Sequence, residues 1–375
     1  MQKRRTFIKR SSLALAATAL PLHYLSCKGA PQDKAKNTPS TDPKKKLGIA
    51  LLGLGNYATN LLAPALQQTQ HIELRGIVTG SPEKIPQWKE KFGIPDKNIY
   101  NYETLPQIAN NPDIDVVYIV TPTFLHKKFS IMAANAGKHV FCEKPMAMNP
   151  TECQEIIDAC NANNVNLAIG YRMHHEQNTQ TIMQWADDKP YGEIKSVSTE
   201  SGFRIGENGG WRLDGAKGGG AIYDMGVYNI NGARYATGLE PISVTARHET
   251  KRKQMFLNGA PEITYFDLEF PGGITTQGRV TYNDNTNFLK INCAEGWYEL
   301  APFQAYNGVQ GTTSDGKKLE PCECYQQAIQ MDDDALAIMN NEPMMCPGEE
   351  GLADIKVIQA IFESAANGSK RVMIS

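Results

Sequence analysis

The chain has 375 residues, room for two or three domains at the usual ~150 each, which excludes a peptide or a disulfide-stapled miniprotein. Apolar residues make up 41% and charged residues 21%, an ordinary soluble composition and not a disordered or fibrous one. The formal charge of −2 hides an asymmetry: residues 1–26 carry five basic and no acidic side chains, and from Leu47 onward 27 basic side chains stand against 38 acidic ones. An acidic body argues against a nucleic-acid partner.

Lys3, Arg4, Arg5 and Lys9 form a charged head, followed by an apolar stretch over Leu13–Leu20 too short to span a bilayer as an ordinary helix. The paired arginines, with Phe7 and Ile8 behind them, resemble a twin-arginine export signal. Leu25-Ser26-Cys27 resembles a lipoprotein cleavage site, which leaves two outcomes open. Either Cys27 carries a lipid anchor, or the signal is simply removed and the protein is periplasmic. Residues 27–46, with Pro31, Pro39, Pro43 and a run of lysines, are expected to be a solvated linker or an arm. No later stretch approaches the ~18 apolar residues of a membrane helix. Besides Cys27 there are seven cysteines, an odd number without C-x-x-C spacing, so neither a disulfide framework nor a zinc site is expected.

Leu47–Leu52 is a short apolar run of the kind a buried parallel strand makes, and Gly53, Leu54, Gly55, Asn56, Tyr57 and Ala58 follow it with G-x-G-x-x-A spacing. Gly53 permits a tight turn, Gly55 leaves room for a pyrophosphate, and Ala58 lets helix and strand pack closely. Alone, such a match is weak. An amphipathic stretch at Leu61, Leu62, Ala65 and Leu66 strengthens it, as do further strands at Ile72–Val78, Val116–Val120, His139–Cys142 and Leu167–Gly170. The alternation predicts an α/β Rossmann fold, a doubly wound parallel sheet, over 47–169. At the end of its second strand an acid would bind the ribose of NAD. Thr79 stands there instead, followed by Gly80, and Ser81 and Lys84 suit a 2′-phosphate, so NADP is expected over NAD.

The strand His139–Cys142 delivers Glu143, Lys144 and Pro145 to the carboxyl edge of the sheet, where open α/β folds bind ligands. Gly218–Gly220 introduces the helical stretch Ala221–Tyr228, in which Asp224 and Tyr228 are four apart and share a face. On these residues, and on Gly170–Arg172, Trp211–Leu213 and Pro347–Gly351, the chain resembles the Gfo/Idh/MocA family of dinucleotide-dependent sugar oxidoreductases, most of all its glucose-fructose oxidoreductase branch. The resemblance runs from Gly48 to the C-terminal region. It implies that Lys144, Asp224 and Tyr228 are catalytic. Tyr228 would remove the sugar hydroxyl proton as hydride leaves the same carbon, Lys144 would hold the reacting oxygen, and Asp224 would orient a hydroxyl or the lysine. A phenol with a reference pKa of about 10 acts as a base near neutrality only if its anion is stabilised, which a nearby ammonium does. The resemblance also implies cofactor contacts at Tyr102, Glu143, Arg172, Trp211, Arg212 and Tyr306, with Thr121, Pro122 and His126 lining a nicotinamide pocket. His174, His175 and Glu176 are read as sugar pocket or core in preference to a metal cluster, since adjacent strand residues point to opposite faces.

Beyond about Gly170 the pattern changes to longer, alternating strands at Ile194–Arg204, Ile242–His248, Ile263–Phe270, Ile274–Tyr282 and Phe288–Cys293. They predict an α+β domain over 170–375 with one large, mostly antiparallel sheet, closed by a helix over 350–368. The family resemblance implies that this sheet pairs subunits into a homodimer or homotetramer. An exported dinucleotide enzyme lacks a free supply of cofactor. The expected activity therefore keeps NADP bound, oxidises one sugar and reduces a second in the same pocket, and the family resemblance implies that the first is an aldose going to its lactone. The alternative is a redox-neutral glycosidase or lyase, in which hydride is taken from a sugar carbon and then returned.

Overall fold

The computed structural model describes residues 46–374, so the export signal, Cys27 and residues 27–45 of the linker lie outside the described residues. Six parallel strands form the first sheet: β1 (Leu47–Leu52), β2 (Ile72–Val78), β3 (Ile99–Tyr100), β4 (Val116–Ile119), β5 (His139–Cys142) and β6 (Leu167–Ile169). Their order is β3-β2-β1-β4-β5-β6, which reverses between β1 and β4 and opens a crevice outside their carboxyl ends. Most of these strands are apolar runs because both faces are covered, while β2 also carries Glu73 and Arg75. Leu52, Val117, Ile119 and Val140 pack into one hydrophobic cluster, and Leu51, Val116, Tyr118 and Phe141 into another. Gly53 leaves β1 with φ +98°, and a Cβ there would lie 2.6 Å from the Val120 carbonyl oxygen, so the turn requires glycine.

After that turn, Ala58–Leu62 forms a π-helical turn that runs into α1 (Ala63–Ala65), a shorter helix than the apolar pattern predicts. Then come α2 (Ile85–Phe92), α3 (His126–Asn135) and α4 (Pro150–Ala162). The start of α4 follows from its sequence: the Asn149 side chain accepts from the Glu152 N–H, and Pro150 occupies the first turn, where a missing N–H is no loss.

The second half contains α5 (Gln177–Asp188), β7 (Ile194–Gly202), α6 (Val227–Thr237), β8 (Ser243–Glu249), β9 (Ile263–Glu269), β10 (Thr275–Thr281) and β11 (Thr286–Cys293). It continues through β12 (Trp297–Leu300), β13 (Gly311–Thr313), β14 (Lys318–Leu319), α7 (Gln326–Asn340), α8 (Gly348–Ala366) and β15 (Val372–Met373). The strands make a sheet in the order β14-β13-β12-β11-β7-β10-β9-β8-β15, antiparallel throughout except where β10 pairs with β7. The predicted strands form its centre, and the predicted closing helix is α8. Helix α7, absent from the sequence reading, buries Ala328, Met331 and Ala335 in the same cluster as Leu51 and Val116, and so covers a face of the first sheet. No helix among the described residues is long and apolar enough to cross a membrane.

Candidate active site

Strand β5 hands Glu143 and Lys144 to the crevice. The Lys144 side chain, 11% exposed, crosses to the C-terminal half, where Nζ donates to the Asp224 backbone carbonyl at 2.9 Å and lies 3.7 Å from Asp224 Oδ1. The same Nζ is 4.4 Å from the centre of the Tyr228 ring. Asp224 sits in a π-helical turn, Ile222–Gly226, and Tyr228 in the first turn of α6, so the predicted helix is widened between them. Both side chains nevertheless meet Lys144.

Asp224 Oδ2 accepts from Arg212 Nε and from the Tyr282 hydroxyl, each at 2.7 Å. Burial alone would raise the Asp224 carboxyl, but Lys144, Arg212 and these hydrogen bonds bring it down to about 2. So strong an acid is no base near neutrality, and its part is to hold Lys144. Burial likewise opposes the charge on Lys144, but Tyr228, Asp224 and Glu143 more than offset it, and the pKa of the lysine is raised.

The glycine-rich turn is open where a phosphate would approach: a Cβ on Gly55 would meet no atom within 4 Å. Leu54 is buried, and its carbonyl accepts from Lys84 Nζ at 2.8 Å. Asn56 is exposed and accepts from Asn60 at 2.6 Å. At the end of β2, buried Thr79 accepts from the Ser81 N–H at 3.0 Å, which fixes the turn that presents Ser81 and Lys84. Gly80 lies against Tyr102, whose ring a Cβ would meet at 2.6 Å. After β4, the Thr121 hydroxyl is buried without a partner and Pro122 is half-buried. His126 is buried between the Thr121 carbonyl at 2.8 Å and the Pro145 carbonyl at 2.9 Å, so it ties the ends of β4 and β5 together.

Arg172, 1% exposed, donates to the Gln304 carbonyl at 2.7 Å, to the Ala305 carbonyl at 2.9 Å and to Gln326 Oε1. Its guanidinium lies 5.4 Å from the Tyr228 ring and 4.6 Å from the Tyr306 ring. Tyr306 in turn packs against Tyr57 of the glycine turn, with ring centres 5.9 Å apart. Arg212, which holds Asp224, also lies 4.8 Å from the Trp211 ring. Both arginines thus meet protein groups beside Lys144, Asp224 and Tyr228. Sequence reasoning passed over Tyr282 and Gln326. Tyr282 carried a signal, since Thr276, Val280 and Tyr282 are buried alternately along and just past β10, whereas Gln326 carried none.

His174 and His175 lie in a 3₁₀ turn, Arg172–His175, and not on a strand as the sequence reading assumed. His174 Nε2 meets Asn231 Oδ1 at 2.8 Å and His175 Nδ1 meets Asp333 Oδ2 at 2.7 Å. Among the described residues, no group of three His, Cys, Asp or Glu side chains is placed to hold a metal. A broad concavity on the second sheet, walled by Glu200, Arg247, Tyr265, Asp267 and Arg279, includes none of Lys144, Asp224 or Tyr228.

The model of the oxidoreductase family with an NAD-binding Rossmann fold matches residues 47–171, and that of the GFO/IDH/MocA C-terminal domain matches residues 179–299. The structure of the aldose-aldose oxidoreductase from Caulobacter crescentus, complexed with glycerol, is 37% identical to this chain, with a TM-score of 0.84 over 88% of this chain and all of that one. The chain belongs to the Gfo/Idh/MocA family. A D-xylose 1-dehydrogenase [NADP(+)] of Haloarcula marismortui is 25% identical over 350 residues, 90% of this chain and 95% of that protein. The D-glucoside 3-dehydrogenase of Escherichia coli is 27% identical over 211 residues, 55% of this chain and 58% of that protein. This Gfo/Idh/MocA chain is therefore an oxidoreductase on a dinucleotide-binding fold. The family expectation is met, and its glucose-fructose branch is not distinguished from the other sugar dehydrogenases.

Proposed function

We propose that this protein oxidises an aldose to its lactone and reduces a second sugar with one retained NADP. The observation that carries this reading is the convergence of Lys144, Asp224 and Tyr228 at the carboxyl edge of a dinucleotide fold. The cofactor fits the residues present: Gly55 has an open face, and the buried Thr121 hydroxyl lacks a partner at the end of β4. Thr79 in place of an acid, with Ser81 and Lys84 beside it, supports NADP, as does the NADP-dependent D-xylose relative.

Bound there, the dinucleotide supplies the hydride acceptor and, in the second half-reaction, the hydride donor. Lys144, held by Asp224, hydrogen-bonds the reacting sugar oxygen. Tyr228 takes the hydroxyl proton during oxidation and returns it during reduction. Lys144 and Arg172 place two positive charges 4.4 and 5.4 Å from the centre of the Tyr228 ring, where they stabilise negative charge that develops beside it. The N-terminal signal supports action in the periplasm, free or anchored at Cys27, where a retained cofactor answers the scarcity of free dinucleotide. The concavity on the second sheet is the face we assign to pairing with a second copy. Product analysis tests the reading: enzyme given an aldose and a ketose, without added cofactor, should form aldonolactone and alditol in equal amounts. Release of an aglycone from a glycoside without net oxidation would establish the redox-neutral alternative in its place.

A further inference from the structure

Behind the catalytic lysine, a file of polar side chains runs through an otherwise apolar interior. Glu143, 7% exposed, accepts a hydrogen bond from the Tyr118 hydroxyl at 2.8 Å. Gly170 makes room for this pair, since a Cβ there would lie 2.8 Å from Glu143 Oε1 and 3.0 Å from the Tyr118 oxygen. Tyr118 in turn receives Gln330 Nε2 of α7 at 3.4 Å. One turn along α7, Asp334 is buried with neither carboxyl oxygen partnered, and Gln330 Oε1 and His175 Nε2 are also buried and unpartnered. The other nitrogen of His175 meets Asp333 at 2.7 Å, and the Asp333 side chain is 41% exposed. The file therefore begins at the crevice and ends at solvent.

Stability alone does not account for it. A buried, unpartnered carboxylate opposes folding unless it is neutral or meets internal water. Burial raises the carboxyls of both Glu143 and Asp334 to about 7, so each gains and loses a proton near neutrality. The groups that face Asp334 are His175, which lowers its pKa, Asp333, which raises it, Gln330 from its own helix and the Cys346 thiol. Glu143 is faced by Lys144, Tyr118 and Arg172. At the inner end, Glu143 Oε2 accepts from the Lys144 N–H at 3.3 Å, and the Tyr57 phenol lies in the field of both Glu143 and Tyr228. The unpartnered oxygens and nitrogen between Tyr118 and His175 offer the hydrogen-bonding groups that an internal water needs.

We propose that Glu143, Tyr118, Asp334 and His175, with Gln330 and internal water, form a proton passage from the catalytic site to Asp333 at the surface. The proposal rests on the oxidoreductase reading above. Each oxidation breaks a C–H and an O–H bond of the sugar: the hydride goes to the nicotinamide, the proton to Tyr228. Where Tyr228 does not keep that proton for the reduction that follows, it leaves to solvent and another enters, while cofactor and sugar occupy the mouth of the site. The passage supplies a second exit. Its members away from the sugar are positioning residues and not catalytic ones.

The test uses holoenzyme, Asp334→Asn and His175→Ala, mixed with an aldose in weak buffer that contains a pH-indicator dye, while nicotinamide absorbance is followed in the same shot. In the wild type, proton release should keep step with cofactor reduction. Both variants should reduce their cofactor with full amplitude but release the proton at least about 10²-fold more slowly, the scale of a lost acid–base group. Added imidazole should restore the His175→Ala rate and leave Asp334→Asn slow. Proton release in step with reduction in both variants overturns the passage and leaves the oxidoreductase reading intact, and so does a wild type that reduces its cofactor without releasing a proton. If no sugar reduces the cofactor, the oxidoreductase reading falls and infrared spectroscopy decides the passage. The Glu143 acid band, assigned by its loss in Glu143→Gln, should shift at once in heavy water in the wild type and slowly in Asp334→Asn. Equal exchange in the two overturns it.

Discussion

At the scale of single residues, the proposed catalytic set separates two tasks that share a charge. Tyr228 faces the Lys144 ammonium at 4.4 Å, whereas Asp224 receives hydrogen bonds from Arg212 and Tyr282 and stays ionised. Tyr228→Phe removes one oxygen and leaves the ring. Turnover should fall by about 10²–10⁴-fold, with the cofactor absorbance of the purified protein unchanged, and full activity in that variant would dispose of the base. The depressed carboxyl of Asp224, about 2 against an ordinary value near 3.8, makes a second prediction. A group whose pKa is lowered on folding contributes stability that is complete above its unfolded value and lost as pH falls through its folded one. The wild type should therefore lose about 2 kcal/mol more than Asp224→Asn between about pH 5 and pH 1, read from unfolding midpoints at each pH. The motif residues were legible because they stand at the ends of recognisable elements. Tyr282 was legible only as a buried residue of its strand, since its hydrogen bond to Asp224 spans 58 residues and no local pattern encodes that contact.

At the scale of elements, α6 carries Tyr228 and is itself anchored from beneath. Arg234 of α6, 1% exposed, reaches Glu350 at 2.8 Å and Asp354 at 2.5 Å on α8. Removal of the cation leaves buried carboxylates uncompensated, so Arg234→Met should cost about 3–5 kcal/mol, measured by denaturant midpoints. A loss under about 1 kcal/mol, the scale of an exposed pair, would show that α6 is held by its apolar contacts alone. Strands β1, β2, β4, β5 and β6 were legible as apolar runs because helices cover both faces of their sheet. Strands β13 and β14, of three and two residues, are too short to show a period. Helix α7 gives a weak periodic signal because Asp332, Asp333 and Asp334 interrupt its apolar pattern. In the fold Asp332 instead accepts from the Gln70 and His71 N–H groups at 2.8 Å each, and Asp334 is buried. Tertiary partners of that kind leave no mark on the sequence around them.

At the scale of the whole molecule, the site exists because two architectures meet at it. The first sheet brings Lys144 and the glycine turn, and the second half brings Asp224, Tyr228, Arg212 and Tyr306. Neither half holds the set alone. The same meeting packs Tyr306 against Tyr57 at 5.9 Å, so that an aromatic pair from the two halves borders the glycine turn where the dinucleotide enters. The division into a Rossmann half and a β-rich half was legible from the switch between apolar runs and alternating strands, whereas their closure over the crevice depends on loops with no periodic signal. The central claim is a retained cofactor cycled between two sugars. It is tested most directly by the absorbance spectrum of the purified protein, with no cofactor supplied, before and after glucose and then after fructose. A near-ultraviolet band of reduced nicotinamide should rise with glucose and fall again with fructose. Protein that purifies without any dinucleotide would contradict it.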